Sequence, residues 1–179
     1  SFGDPNARLL IVGLAPAAHG ANRTGRMFTG DDSGDFLFKT LHKLGFANHS
    51  ISRHTSDGML LTDAYITSVA RCAPPQNKPL ATELNNCKSY LRDELSLLLN
   101  LQVVIALGKI AFNAFLVTYN ELNGKLPSPR PKFGHGVTFR LEGITLMAAY
   151  HPSRQNTQTG RLNQRMFSSV FREARETFI

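Results

Sequence analysis

The stretch Arg8 to Leu14 (R-L-L-I-V-G-L) is an almost unbroken run of leucine and β-branched residues, and it decides the fold class. Such a run is typical of a strand buried on both faces of a parallel sheet. Further runs of the same kind predict three more strands, at Tyr65 to Ala70, Gln102 to Leu107 and Ile144 to Tyr150. Val137 to Leu141 is a candidate for a short additional strand.

Helical periodicity separates these strands. It predicts helices over 34–44 with Ser33 as N-cap, over 82–100 with Thr82 as N-cap, after Gly108, and over 162–178. The helix after Gly108 is expected to turn five residues inward: Ile110, Ala111, Ala114, Phe115 and Val117. Strands that alternate with helices indicate the α/β class. We expect a three-layer α/β/α sandwich around a central, mainly parallel, four-stranded sheet.

Length and composition limit the class of protein. The chain has 179 residues, of which 42% are hydrophobic, and this is typical of a single globular domain over 1–179. Its two cysteines, Cys72 and Cys87, exclude a disulfide-rich secreted scaffold. No signal peptide is visible, and no apolar run reaches the about 20 residues of a membrane span. The net charge of +7 favours a polyanionic partner such as nucleic acid, with a merely soluble basic protein as the alternative.

The first polar loop follows the first predicted strand. In open parallel sheets, ligands bind beyond the carboxyl ends of the strands. The loop Gly13 to Asp31 (G-L-A-P-A-A-H-G-A-N-R-T-G-R-M-F-T-G-D) has glycines that let its backbone approach a ligand. It also supplies a ring for stacking, a carboxylate and two cations for phosphates: Phe28, Asp31, Arg23 and Arg26. The alternative is a shaped turn with Phe28 in the core and Asp31 as a turn residue.

A second polar loop, His151 to Arg161 (H-P-S-R-Q-N-T-Q-T-G-R), follows the last predicted strand. A histidine at this position can donate a hydrogen bond or carry a proton, although a purely structural hydrogen bond is the alternative. Its place opposite the first loop favours the functional interpretation. The polar residues that follow suit a phosphate backbone or a duplex groove: Ser153, Arg154, Gln155, Asn156 and Thr157.

These loops resemble the uracil-DNA glycosylase superfamily, specifically its family 5, the broad-specificity type B branch found in thermophiles. The first loop matches this family along its length. So do V-A-R-C-A-P-P-Q-N-K-P with C-K-S-Y-L after it, and Y-H-P-S-R-Q-N-T-Q-T-G-R-L. The matches extend from Gly13 to Leu162, which is nearly the whole chain.

The resemblance implies a monofunctional DNA glycosylase of base excision repair. Such an enzyme flips a deaminated base out of the stack and hydrolyses its N-glycosidic bond. Uracil is the expected substrate, together with hypoxanthine and xanthine. The expected partner is double- or single-stranded DNA that carries such a base. The resemblance also implies a cytoplasmic, nucleoid-associated monomer with no membrane partner.

The resemblance assigns roles to residues of both loops. Phe28 would stack on the flipped base, and a stretch of backbone would line the pocket: Gly13, Leu14, Ala15, Pro16 and Ala17. His151 would bind the base carbonyl oxygen and stabilise the anionic leaving group. The pocket stretch lacks the acidic or amide residue of the main branches, which fits family 5 and argues against family 1. Asp31 would therefore direct the water, helped by Asn77.

Several neighbouring residues remain alternatives for these roles. Asp32 and Asp35 are the competing carboxylates, and Thr67 or Ser68 would be additional base contacts. Residues 154–157 would press into the duplex and fill the space left by the flipped nucleotide. Three more cations are either backbone contacts or solvated charges: Arg161, Lys132 and Arg130.

The two cysteines have a role only through the resemblance, since their spacing alone suggests buried thiols. In the family they are two ligands of a 4Fe-4S cluster, which needs four thiolates. The other two ligands form a C-x-x-C in an N-terminal segment, which we expect this chain to lack; loss of the cluster is the alternative. The cluster would pin the loop 72–87, which carries Asn77. No catalytic metal is expected.

Two other functions compete with the glycosylase. A non-catalytic module that binds damaged DNA would keep the fold and release no base. A nucleotide-binding α/β hydrolase lacks support, because the chain contains neither a G-x-x-x-x-G-K-[ST] loop nor a cluster of metal ligands.

Overall fold

A single six-stranded sheet forms the middle of the protein, of which the computed structural model describes residues 1–123 and 125–178. Its strands are β1 (Phe2–Gly3), β2 (Leu9–Gly13), β3 (Ala64–Ser68), β4 (Val103–Leu107), β5 (Thr138–Arg140) and β6 (Thr145–Ala149). They lie in the order β1-β3-β2-β4-β6-β5. The central β3, β2, β4 and β6 are mutually parallel, and β1 and β5 pair antiparallel at the two edges.

The four parallel strands confirm the four predicted ones, whereas the predicted number of strands in the sheet is wrong. β1 has two residues and β5 has three. Segments this short cannot show an alternating or continuous apolar pattern, so pairing with a neighbour defines them. β5 falls inside the candidate segment 137–141.

The described residues form six helices: α1 (Ala21–Thr24), α2 (Asp32–Lys43), α3 (Ala81–Leu97), α4 (Lys109–Asn123), α5 (Arg154–Gln158) and α6 (Gln164–Glu176). A short 3-10 turn occupies Pro75–Asn77. The long helices α2 and α6 share one apolar core with the sheet, and α3 and α4 share the other. The predicted three-layer α/β/α sandwich is confirmed. None of the described helices is long and apolar enough to cross a bilayer.

Strand β2 connects the two cores. Leu9 and Ile11 point into the core with α2 and α6, and Leu10 and Val12 point into the core with α3 and α4. All four side chains are completely buried. Burial on both faces explains why the run is apolar throughout instead of alternating.

Some predicted helix details differ in the structure. Asp31, not Ser33, is the N-cap of α2, and its Oδ1 accepts a hydrogen bond from the Gly34 N–H at 2.8 Å. Likewise α3 starts after Leu80 instead of Thr82. Side-chain orientation differs too, since Ile110 is 42% and Val117 is 41% exposed. These two side chains line an open groove between α3 and α4 instead of the core.

A buried ion pair holds the loop after β2 to the segment before β3. Arg26 is 7% exposed, and its Nη2 donates to Asp57 Oδ1 at 2.6 Å and Oδ2 at 2.8 Å. Ser52 and Thr29 accept further hydrogen bonds from the same guanidinium. Burial acts to raise the pKa of Asp57, but Arg26 and backbone N–H groups, including that of Met59, outweigh it and hold this pKa far below its usual range. The loop is therefore anchored by a satisfied pair of charges.

Asp57→Ala should lower the free energy of unfolding by about 3–5 kcal/mol, because it leaves the Arg26 charge buried without its partner. Urea denaturation at neutral pH measures the change. Asp93→Ala is the matched control. Asp93 pairs with Arg92 on the surface, with side chains 63% and 52% exposed, so its loss should cost less than about 1 kcal/mol. Equal effects of the two substitutions would show that the Arg26 pair does not anchor the loop.

Candidate active site

The strand order reverses next to β2, because β3 lies on one side of it and β4 on the other. Ligands of open α/β sheets bind in the crevice beyond the carboxyl ends of the strands at such a reversal. Gly13 ends β2 and Gly108 follows β4 at this edge. His151 follows β6 and reaches the same place, since its Cβ lies 3.7 Å from where a Cβ on Gly108 would lie. The topology thus brings the predicted loops to one edge.

Phe28 is wedged into this edge. Its backbone has a φ of 54°, and its side chain is 4% exposed. The ring lies against Gly13, where an added Cβ would come within 3.1 Å of Phe28 Cε2. Its carbonyl oxygen presses on Gly34 so closely that any side chain there would overlap it. Gly34 is therefore required by the close approach of the Phe28 backbone, and a side chain at Gly13 would force the Phe28 ring to shift.

The rings of Phe28 and His151 stack on each other. Their centroids are 5.8 Å apart and their planes meet at 29°. The structure therefore brings together two of the residues that the sequence singled out. It also leaves little of the Phe28 ring open, so a base can stack on this ring only where His151 moves aside.

His151 is half-buried, and its surroundings determine its charge. Burial lowers the pKa of His151 to about 4, so the ring is neutral at neutral pH. Asn156 holds the adjoining backbone, because its Nδ2 donates to the His151 carbonyl oxygen at 2.8 Å. A neutral imidazole can donate an N–H hydrogen bond and remain uncharged.

Asp31 lies half-buried at the start of α2. Burial raises the pKa of its carboxyl, the N–H groups of Gly34 and Ser33 partly offset that shift, and the charges of Asp32 and Asp35 add to it. The carboxylate also lies against the backbone of Gly20, where a Cβ would overlap Asp31 Oδ2. One oxygen therefore caps the helix, and the carboxylate as a whole is poorly solvated.

The competing carboxylates are neutralised by arginines. Asp32 pairs with Arg154, and this ion pair lowers the pKa of the exposed Asp32 carboxyl. Asp35 pairs with Arg53 at 3.6 Å. Within the described chain, Asp31 takes part in no such ion pair. Asp31 combines burial with a raised pKa, whereas the Asp32 carboxyl is exposed and its pKa is lowered.

Asn77 is not joined to the other predicted site residues. It is exposed, has a φ of 56°, and ends the 3-10 turn after β3. In the described part of the chain, no hydrogen bond links it to Asp31, Phe28 or His151. Its role as a helper of Asp31 stays a prediction. The hydroxyls of the alternative base contacts are also engaged elsewhere, Thr67 with Glu94 and Ser68 with the Ala70 carbonyl oxygen.

The two cysteines lie near each other beside this loop. The Arg71 N–H, one residue before Cys72, donates to Cys87 Sγ at 3.4 Å. Cys72 is exposed and Cys87 is half-buried, and neither forms a disulfide. A 4Fe-4S cluster needs four thiolates, of which the described residues supply two. The described residues contain no group of three or more side chains that would hold a metal ion.

The loop after β6 contains both exposed and internally bonded side chains. Arg154 and Gln155 are exposed, whereas Asn156 and Thr157 are half-buried and bond to the loop backbone. Ser153 is the N-cap residue of α5 without a side-chain cap bond. Gln155 is therefore exposed without a side-chain partner in the described chain and Arg154 is exposed but paired with Asp32, while Asn156 and Thr157 shape the loop.

The predicted phosphate contacts differ in accessibility. The prediction that Arg26 contacts a phosphate is wrong, because its guanidinium is buried against Asp57 and Ser52 and cannot meet a phosphate. Arg23 is exposed, and its Nε donates to the His19 carbonyl oxygen at 3.0 Å. Arg161 lies 4.5 Å above the Tyr150 ring with its charge in solvent. Arg130 and Lys132 are exposed as well.

One residue that supports the site went unrecognised in the sequence. His135 Nδ1 accepts a hydrogen bond from the Tyr150 N–H at 3.1 Å, directly before His151. The two rings also stack, with centroids 5.0 Å apart. His135 lies in an irregular proline-rich loop without periodicity, so no local pattern indicates this contact.

Known proteins are similar to this chain over nearly its whole length. A model of the Uracil DNA glycosylase superfamily matches residues 1–175. The chain is 49% identical to a Type-5 uracil-DNA glycosylase of Thermus thermophilus over 175 residues, which is 97% of this chain and 77% of the relative. It is 46% identical to a Type-5 uracil-DNA glycosylase of Mycobacterium bovis over 177 residues, or 98% of this chain. The chain spans 65% of the length of that mycobacterial relative.

Structural comparison gives the same fold. The crystal structure of wild-type SMUG2 of Pedobacter heparinus aligns with a TM-score of 0.57 and 15% sequence identity, over 96% of this chain and 75% of that chain. At that identity the likeness concerns the fold alone. The family match and the two relatives cover nearly every described residue of the site edge, and on this ground the chain belongs to the uracil-DNA glycosylase superfamily.

Proposed function

We propose that this protein is a monofunctional DNA glycosylase that removes uracil from DNA by hydrolysis of the N-glycosidic bond. The stacked pair of Phe28 and neutral His151, at the same sheet edge as the poorly solvated Asp31, carries the proposal. A ring for the base, a donor for its carbonyl oxygen and a carboxylate for water are the groups that this reaction needs. The relatives' names support it.

Asp31 would act on the water and on the sugar. Cleavage of the glycosidic bond builds positive charge on the sugar, as in other glycoside hydrolyses, and a carboxylate nearby lowers the energy of that state. The water oxygen forms a bond to C1′ while a proton passes towards the Asp31 carboxylate. The raised pKa of Asp31 makes it a better proton acceptor than an ordinary aspartate.

His151 would stabilise the departing base. The electron pair of the broken C1′–N bond moves into the uracil ring and places negative charge on a carbonyl oxygen, and the base afterwards takes a proton from solvent. A neutral imidazole at this oxygen donates a hydrogen bond without giving up its proton. Burial strengthens this hydrogen bond because the local dielectric is low.

Base entry would change the Phe28–His151 contact. The flipped base takes the place of His151 against the Phe28 ring, and the imidazole turns towards the base edge. The half-buried backbone of Leu14 to Ala17 lines the other side of the pocket. Mispaired uracil is the cheapest nucleotide to extrude, because its base pair is already weakened.

Asp31→Asn and His151→Ala should each reduce uracil release from a duplex with one U·G mismatch by about 10²–10⁴-fold. Asparagine retains an oxygen for the Gly34 N–H, so Asp31→Asn removes the charge and preserves the helix cap. Single-turnover cleavage at alkali-labile sites measures the loss. Asp32→Asn is the control, with an expected loss below about tenfold, since Asp32 is an exposed carboxylate that pairs with Arg154.

The same experiment tests the non-catalytic alternative. Tight binding of the U·G duplex without base release in the parent protein would favour a damage-binding module. Release that survives in Asp31→Asn but is lost in Asp32→Asn would transfer the water-directing role to Asp32.

The acid limb of the pH–rate profile should lie above the usual range of an aspartate. Asp31 must be ionised to act, and burial raises its pKa, so activity falls at a higher pH than for an ordinary carboxyl. Single-turnover rates across the acidic range measure the limb. The residual activity of Asp31→Asn should lack it, and an acid limb in the ordinary aspartate range would contradict the assignment.

The pocket should discriminate weakly between deaminated bases. Sharp selectivity comes from buried polar groups that the wrong ligand leaves unpaired. Residues 14–17 carry no polar side chain, and Thr67 and Ser68 direct their hydroxyls to protein acceptors. We propose that hypoxanthine and xanthine are also substrates.

Release rates from duplexes with uracil, hypoxanthine or xanthine should differ by less than about 200-fold, the range that apolar pockets reach without editing. Matched single-turnover assays with one lesion per duplex compare them. Efficient uracil release with no release of either purine would show a selective pocket.

We also propose that Cys72 and Cys87 supply two of the thiolates that hold a 4Fe-4S cluster. The cluster would be structural and would tether the loop that carries Asn77 to α3. The Arg71–Cys87 hydrogen bond supports the proposal because it brings the backbone next to Cys72 within hydrogen-bond distance of Cys87 Sγ.

A further inference from the structure

A groove lined by cations runs between the two helices on one face of the sheet. It has a volume of about 360 Å³. Two of its residues come from α2 and four from α6: Lys39, Lys43, Gln164, Arg165, Ser168 and Arg172. We refer to it as the α2–α6 groove. The proposed reaction uses none of these residues.

The packing of the two helices assembles the cations. The hydroxyls of Thr40 and Ser168 share a hydrogen bond of 3.2 Å, and Gln164 Nε2 donates to the Phe36 carbonyl oxygen at 3.2 Å. The helices therefore lie side by side and parallel. Lys39 and Lys43 are one turn apart on α2, and Arg165 and Arg172 are two turns apart on α6, so each pair occupies one helix face.

The four cations are free to meet an anion. All are exposed, and in the described chain none of them forms an ion pair. The acidic residues near the end of the groove that faces the site edge already form ion pairs, Asp32 with Arg154 and Asp35 with Arg53. On α6, Glu173 accepts a hydrogen bond from Thr138 on β5. The positive charge of the groove is thus uncompensated.

The groove is continuous with the edge that holds the active site. A depression of about 390 Å³ adjoins the end of the groove that faces the site edge. Lys39 and Gln164 line both the depression and the groove. The depression also includes Thr157, from the loop after β6, and Asp32, next to Asp31. A partner that starts at the site edge can therefore follow one path into the groove.

The dimensions fit a nucleic-acid backbone. Two helical turns separate Arg165 from Arg172 by about 10 Å along the axis. One DNA strand advances about 3.4 Å per nucleotide along the duplex axis, so a duplex whose axis runs along α6 advances by about three nucleotide steps over this distance. Because the groove is continuous with the site edge, DNA that is bound at that edge can extend into the groove. This continuity favours DNA over an acidic peptide, which would bind the groove without contacting the site edge.

We propose that the α2–α6 groove is a second phosphate-binding surface, which holds the DNA backbone on one side of the damaged nucleotide. The proposal rests on the proposed function, because that function places DNA at the site edge. Contacts of this kind carry no base sequence information and set the position and affinity of the duplex.

The test compares two pairs of substitutions that remove equal charge. Lys43→Gln with Arg172→Gln removes the two cations of the groove that lie furthest from the site edge. Lys125→Gln with Arg140→Gln is the matched control, since both residues are exposed and lie outside the groove. Fluorescence anisotropy measures the Kd of each protein for U·G duplexes of about 10 and about 30 base pairs over a range of salt, because phosphate contacts release counterions.

The groove variant should bind the long duplex roughly tenfold more weakly, and its salt slope should be smaller by about 2, which corresponds to two lost phosphate contacts. Its affinity for the short duplex should fall less, because a duplex of about 10 base pairs ends about 17 Å from a central lesion and leaves fewer phosphates beside Lys43 and Arg172. Thermal melting verifies that both variants are folded.

Equal binding by the groove and control variants would overturn the proposal and show that the four cations are merely solvated. Loss of affinity for both duplexes alike would also overturn it, because the groove would then act at the site edge. Base release by the parent protein is measured separately. Failure of the proposed catalysis and failure of the second surface are therefore distinguishable.

Discussion

Phe28 takes a left-handed backbone conformation with φ of 54°, which costs a bulky residue about 1–3 kcal/mol. The conformation persists because the ring packs on Gly13 and the carbonyl oxygen packs on Gly34. The His151 ring stacks on the Phe28 ring, and Asp31 accepts a hydrogen bond from the N–H of Gly34, the residue on which the Phe28 carbonyl oxygen packs. The three groups assigned to the chemistry therefore depend on one close packing of backbone and ring.

Burial at this edge moves both ionisable groups towards neutrality. It lowers the pKa of His151 to about 4 and raises the pKa of Asp31, since desolvation disfavours whichever form is charged. For the histidine this yields a neutral donor, and for the aspartate a stronger base. One physical cause thus prepares two groups for different parts of the same proposed reaction.

The cationic side chains that give the protein its positive net charge differ in whether they are paired, and the net charge does not show this difference. Arg26 is buried against Asp57 and holds a loop, Arg154 pairs with Asp32 at the site edge, and the cations of the α2–α6 groove are unpaired. Each class depends on residues far away in the sequence. Only the tertiary structure shows which cations are free for a phosphate, because pairing is decided by proximity in space.

The site was only partly predictable. The loops after β2 and β6 were recognisable because glycine, proline and polar residues interrupt long apolar runs. The role of Arg26 was not, since its partners lie on a distant loop. The supporting contact of His135 with the backbone of Tyr150 also has no local signature. Asn77 remains apart from the other site residues, because its exposed turn makes no described contact with them.

By itself, the sequence determined the four central strands, the long helices that cover them and the edge where the loops meet. Those features are encoded locally, because a strand buried on both faces must be apolar throughout and a half-buried helix must repeat every three to four residues. The tertiary structure decided the edge strands β1 and β5, the capping role of Asp31, the stack of Phe28 on His151 and the accessibility of each arginine. These depend on contacts between distant segments, which no local pattern of residues contains.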